Sequence, residues 1–228
     1  MFIINAILPN ESKAQFIQGY GIAIGVTDCN ETWQFKSPAE TETKRFHLGT
    51  NAAIFFEMGD YYNIRWISEI MYNRKGAKEE FPYPDNTLTN NEVTYLSWNN
   101  YAKFRKELEN TTPYLILGGR LEYKFSTIAG GFRDTMVNTP QFATIHACIS
   151  GGGGIEFFTK ASVIPFIEAQ YFTDLPLPFC EAYVNTSPAY GNLHIRNLGF
   201  ELRIGFKFLF HGSNTDKCPP VYVSPGAI

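Results

Sequence analysis

Residues 113–125 read Pro-Tyr-Leu-Ile-Leu-Gly-Gly-Arg-Leu-Glu-Tyr-Lys-Phe. Successive side chains of a strand point to opposite faces. Leu115, Leu117, Gly119, Leu121, Tyr123 and Phe125 therefore share one face, and Arg120, Glu122 and Lys124 share the other. One such strand also suits a half-solvated sheet of a soluble protein, so the constraint comes only from recurrence.

The pattern recurs in the same sense along the chain. In 197–208, Leu198, Phe200, Leu202, Ile204, Phe206 and Phe208 oppose Glu201, Arg203 and Lys207; in 46–58, Phe46, Leu48, Ala52, Ile54, Phe56 and Met58 oppose His47, Asn51 and Glu57. Residues 64–73 set Ile64, Trp66, Ile70 and Tyr72 against Arg65 and Glu69, and 145–157 set Ile145, Ala147, Ile149, Ile155 and Phe157 against His146, Ser150 and Glu156. Residues 163–172 oppose Val163, Ile167, Ala169 and Tyr171 to Glu168 and Gln170, and weaker segments lie at 16–26 and 94–108. Ile67, Met71, Ile164 and Phe166 fall on the polar face and blur it. The sum is about eight strands.

No run reaches the roughly 18 apolar residues of a transmembrane helix, yet the chain holds 16% aromatic and only 18% charged residues. Barrel spans of about ten alternating residues escape that test. The connections alternate, short at 59–63, 110–112 and 159–161 and long at 28–44, 74–92, 126–144 and 173–194. The expected fold is all-β: a closed, eight-stranded, antiparallel, up-and-down transmembrane β-barrel. By the usual asymmetry of such barrels, its short turns and both termini are periplasmic and its long loops lie outside the bacterial outer membrane.

The charged faces then turn inward, because lipid bathes the exterior of a membrane barrel. Arg65, Lys103, Arg105, Arg120, Lys124, Arg203 and Lys207 nearly balance Glu57, Glu69, Glu122, Glu156, Glu168 and Glu201. An eight-stranded barrel is just wide enough for side chains to fill, so these groups are expected to form a paired, buried network and no open channel.

One domain is read over residues 15–210, with no composition shift to mark a boundary. Residues 1–14, apolar and then polar and ending Ser-Lys-Ala, read either as a signal peptide shortened at its start or as an ordinary N-terminal end. Residues 211–228 form a Pro-rich periplasmic tail, either a partner segment or a disordered end. Cys29, Cys148, Cys180 and Cys218 lack metal-finger spacing. Cys29 and Cys180, read in loops beside the first and last strands, are placed for a disulfide in an oxidising compartment.

Five fragments, in order, resemble the PorT-like outer-membrane β-barrel family of Bacteroidetes. They are Tyr72-Asn-Arg-Lys-Gly76, Pro113-Tyr-Leu-Ile-Leu-Gly-Gly-Arg-Leu-Glu-Tyr123, Gly152-Gly-Gly-Ile-Glu-Phe157, Phe166-Ile-Glu-Ala-Gln-Tyr171 and Arg196-Asn-Leu-Gly-Phe-Glu-Leu-Arg-Ile-Gly-Phe-Lys-Phe208. The resemblance spans most of 18–208 and implies an eight-stranded outer-membrane barrel with no shared catalytic residues. Some members of that family are linked to type IX secretion and gliding. A tail following Phe208 and Phe210 departs from barrels that end on an aromatic residue.

Residues 151–154 are four glycines without the Gly-Lys-Ser/Thr of a phosphate loop, and read as small inward residues making room for large ones such as arginines. His47 and His146 are read inward and nothing assembles them with a serine, while Glu156 and Glu168 read as ion-paired and not as a glycosidase couple. No enzyme activity, cofactor or metal is expected, and a net charge of −3 without a basic face gives no reason to expect nucleic acid. The expected partners are membrane lipid and a protein at the outer loops or the tail. Leu175, Leu177, Phe179, Tyr183 and Tyr190, stiffened by prolines, form either a contact surface or a lid over the barrel mouth. The expected function is structural or partner-binding. The alternatives are an accessory of a type IX-like secretion or transport system, a narrow pore, or a lipid-modifying enzyme.

Overall fold

A computed structural model describes residues 17–35, 41–43, 45–61, 63–80, 88–129, 144–158, 162–176 and 193–210. Residues 1–14 and 211–228, read above as a leader and a tail, lie outside the described residues.

The strands are β1 (Ile17–Phe35), β2 (Thr41–Thr43), β3 (Arg45–Tyr61), β4 (Ile64–Glu80), β5 (Leu88–Arg105), β6 (Thr111–Ala129), β7 (Ile145–Phe157), β8 (Val163–Asp174) and β9 (Leu193–Leu209). From β3 onward each pairs antiparallel with its successor, β1 pairs with β3, and β9 returns to β1 to close the sheet. Closure by β1 and β9 runs from Gly19↔Leu209 to Phe35↔Leu193. A closed sheet leaves no unpaired edge, which is what allows β-structure to sit in hydrocarbon. The three-residue β2 flanks the far end of β1 and takes no part in closure.

The exterior of this barrel is its greasy side. Phe125 is 73% exposed, Leu115 66%, Leu48 64% and Ile24 61%, whereas Glu57, Glu69, Arg120, Glu201, Arg203 and Lys207 are buried. A water-soluble barrel would reverse these faces. On β9 the outward set runs from Leu198 to Phe208, about 35 Å of strand, which at a tilt of about 40° spans roughly the 25 Å apolar band of a membrane barrel.

The strands outrun the apolar pattern at one end. β1 continues to Phe35, β4 and β5 stay paired as far as Glu80↔Leu88, and β6 continues to Ala129. The long connections expected from 28, 74 and 126 therefore begin several residues later. Outward residues beyond the lipid band have no need to be apolar, so alternation fades while main-chain pairing goes on. At the opposite end, between β3 and β4, Gly59 and Asn63, with φ of 71° and 66°, take the left-handed conformation that these two residues adopt at least cost.

The interior also holds an apolar layer built from the residues that blurred the pattern. Ile67, Met71 and Phe166 point inward and pack with Phe55, Tyr101, Tyr114 and Ile116. Some glycines make room for these rings: a Cβ on Gly205 would lie 2.5 Å from Phe166 Cζ, and one on Gly154 would lie 2.5 Å from the Tyr114 hydroxyl, while one on Gly25 would lie 2.9 Å from Arg203 Cγ. Of residues 151–154, expected to face inward, Gly151 and Gly153 stand instead beside the outward side chains of Leu117 and Leu115.

Candidate functional site

Each long strand of the barrel sends polar side chains inward among the apolar ones, and closure brings strands from opposite walls within reach. The result is a stack of ion pairs up the lumen. At the short-turn end, Glu57 of β3 accepts from Arg65 of β4 at 2.5 Å and from Lys103 of β5 at 3.0 Å. Lys103 and Lys207 both donate to Glu156 of β7, the latter at 2.6 Å.

One level up, Arg203 of β9 bridges two carboxylates. It donates to both oxygens of Glu69 at 2.8 and 2.9 Å, and through Nε to Glu168 at 3.0 Å. Asn99, Gln170 and the Tyr114 hydroxyl donate to the oxygens of these two carboxylates. The third level is Arg120, which takes both oxygens of Glu201 at 2.6 and 2.7 Å and donates also to Tyr101, Ser150 and Gln170. Glu201 in turn accepts from Asn73, whose carbonyl accepts from Thr27.

A fourth level occupies the long-loop end. Lys75 Nζ reaches both oxygens of Glu122 at 2.7 Å and lies 4.0 Å from the centre of the Phe172 ring. Asp174 accepts from the Cys148 thiol at 3.0 Å and from Asn197, and sits 3.7 Å from His146 Nδ1. Lys75 and Asp174 are interior charges that sequence reasoning assigned to loops. Their signal was parity: Lys75 continues the inward series Arg65, Glu69, Asn73, and Asp174 continues Glu168, Gln170, Phe172.

Of the thirteen residues read as interior charges, eleven are buried in these levels. The other two are half-buried at the ends. Arg105 pairs with Glu107 at the short-turn rim, and Lys124 lies at the opposite end. Glu156 and Glu168 are each held by basic side chains, and Glu156 also lines the open space at the short-turn end. Among the described residues Leu175 is exposed just past β8, while Leu177, Phe179, Cys180, Tyr183 and Tyr190 fall outside the described residues.

The expected loop position of Cys29 is corrected. β1 runs on to Phe35, so Cys29 is a fully buried strand residue with a free thiol, near Asn197 Oδ1 at 3.8 Å inside the lumen.

Among the described residues, a vestibule of about 590 Å³ opens at the short-turn end, lined by Arg65, Arg105, Glu156, Lys207 and Phe158. Further in, among Phe55, Tyr101 and Tyr114, lies a cavity of about 10 Å³, room for a single water.

An apolar exterior, a closed sheet and a charge-filled lumen define a small transmembrane β-barrel of eight strands. Its fold is similar to that of the outer membrane protein OprG from Pseudomonas aeruginosa, with a TM-score of 0.57, 11% identity, and coverage of 86% of this chain and 97% of that one. Neisserial surface protein A gives a TM-score of 0.41 at 14% identity, covering 83% and 97%. The attachment invasion locus protein Ail of Yersinia pestis gives 0.38 at 15% identity, covering 84% and 99%. At 11% identity the likeness to OprG is one of fold. No family model matches the sequence, and no curated protein matches it.

Proposed function

We propose that this chain is a non-enzymatic outer-membrane protein whose sealed barrel is a rigid base for the surface formed at its long-loop end. The observation that carries the reading is the lumen, where four levels of paired charges and an inward aromatic layer occupy the space a solute would need. That filling argues against the narrow-pore alternative. Strands extending past the lipid band give the connecting segments a stiff base, which suits binding of a protein partner through Leu175, Leu177, Phe179, Tyr183 and Tyr190. Membrane lipid is the partner of the apolar exterior. The five ordered fragments, Tyr72–Gly76 through Arg196–Phe208, support placing the chain among PorT-like barrels, with both termini periplasmic.

Two measurements test the reading. After carbonate washing the protein should stay with outer-membrane fractions and should change gel mobility on heating; a soluble protein overturns it. In planar bilayers the purified protein should add no steady ohmic conductance, and a reproducible channel would sink the sealed-base reading.

A further inference from the structure

Strand register builds a second arrangement at the long-loop end. Glu122 of β6 stands directly across from His146 of β7, and Cys148, two residues further along β7, stands across from Asp174 of β8. Residues two apart share a face, so three neighbouring strands bring two carboxylates, an imidazole and a thiol to one patch of the inner wall. The ligand atoms of Glu122, Cys148 and Asp174 all lie within 4.8 Å of one another, and all four residues are buried.

Two further observations bear on what this patch can hold. The Tyr95 hydroxyl is fully buried without a hydrogen-bond partner among the described residues, and its ring packs edge-on against His146 at 5.3 Å. Lys75 brings its ammonium against both oxygens of Glu122 and 3.9 Å from Cys148 Sγ, so the patch already attracts a tethered positive charge.

We propose that Glu122, His146, Cys148 and Asp174 form a binding site for a divalent transition-metal ion of the Zn²⁺ type. Thiolate, imidazole and carboxylate are the mixed donors that Zn²⁺ takes at about 2.0–2.3 Å in tetrahedral sites, whereas Ca²⁺ and Mg²⁺ take oxygen alone. Ligand atoms on such an ion lie about 3.3–3.8 Å apart, so the spacing of Glu122, Cys148 and Asp174 needs adjustments of about 1 Å, and His146, whose Nδ1 stands 3.7 Å from Asp174, turns toward the other two to become the fourth ligand. On binding, the Cys148 thiol loses its proton to solvent and its sulfur ligates the ion. Lys75 releases Glu122 and keeps its contact with the Phe172 ring. Charge then balances: Glu122, Asp174, the thiolate and Lys75 sum to −2, which a divalent ion neutralises. The site does not depend on the proposed function of the loops.

Co²⁺, which adopts Zn²⁺ geometry and reports thiolate ligation by a charge-transfer absorption band, tests the site in the full-length protein. The metal is offered both during refolding in detergent and to the folded barrel, under a phosphine reductant. The expected result is a band saturating at one Co²⁺ per chain, bleached by Zn²⁺ and lost in Cys148→Ser. Lys75→Met, which removes the competing ammonium, should tighten binding by about tenfold or more. Absence of the band under both loading conditions overturns the proposal, as does a band that persists in Cys148→Ser. Should that variant fail to regain heat-modifiable mobility, His146→Gln replaces it. Binding weakened at least about tenfold supports the site, and unchanged binding overturns it.

Discussion

The guanidinium of Arg120 on β6 grips both carboxylate oxygens of Glu201 on β9 at 2.6 and 2.7 Å, across the lumen and 81 residues along the chain. Neither side chain touches solvent. The remaining Arg120 hydrogens reach Tyr101, Ser150 and Gln170, so this one residue ties β6 to β5, β7, β8 and β9. Satisfied on every side, the pair costs little; broken, it leaves a charge with nowhere to go.

Either single change, Arg120→Met or Glu201→Leu, is expected to destabilise the barrel by about 3–5 kcal/mol. The double variant should lie closer to wild type than either single one, because no unpaired charge remains. Urea unfolding in lipid vesicles, followed by tryptophan fluorescence, measures all three. A double variant as unstable as the sum of the singles would argue against a coupled pair.

Leu202 faces outward near the middle of the apolar series on β9, and Phe208 closes that series at the short-turn end. Leu202→Arg should cost about 2–4 kcal/mol in a bilayer and Phe208→Arg about 0–1 kcal/mol. The same unfolding assay gives both values. Equal costs would mean that the lipid band is not centred where the exposed side chains place it.

Gly205 lies beneath the Phe166 ring and against the Ile22 carbonyl, with 2.5 and 2.3 Å to an added Cβ. Gly205→Ala should therefore lower stability by about 1–3 kcal/mol through overpacking. Phe166→Leu in that background should recover part of the loss, since the backbone contact stays. An Ala variant as stable as wild type would show that ring and strand move aside freely.

Orientation is open to labelling. In a chain with Cys180→Ser and Cys218→Ser, a cysteine at Ser126 at the long-loop end should react with a membrane-impermeant maleimide on intact cells. One at Asn110 in a short turn should react only after the outer membrane is breached. Cys29 and Cys148 are buried and contribute little background. The reverse pattern would place the termini outside the cell.

The strands and their faces were legible because lipid demands an outward apolar residue at every second position. Leu198 to Phe208 and Leu115 to Phe125 satisfy that demand almost without exception. Where the demand lapses, legibility lapsed too: Lys75, Asp174 and Cys29 stand past the apolar runs of their own strands, where parity was the one remaining signal and backbone pairing was needed to show that the strand continues. Ile67, Met71 and Phe166 looked like noise in the polar face, but they form the apolar layer seated on the inward glycines.

By itself the sequence determined the class of fold and which side chains face inward, since both follow from a period of two that each strand carries alone. Which charge meets which was decided by tertiary structure. Arg120 and Glu201, or Glu122 and His146 beside Cys148 and Asp174, become neighbours only through the register of separate strands and the closure of β9 on β1. No local pattern encodes those long-range alignments.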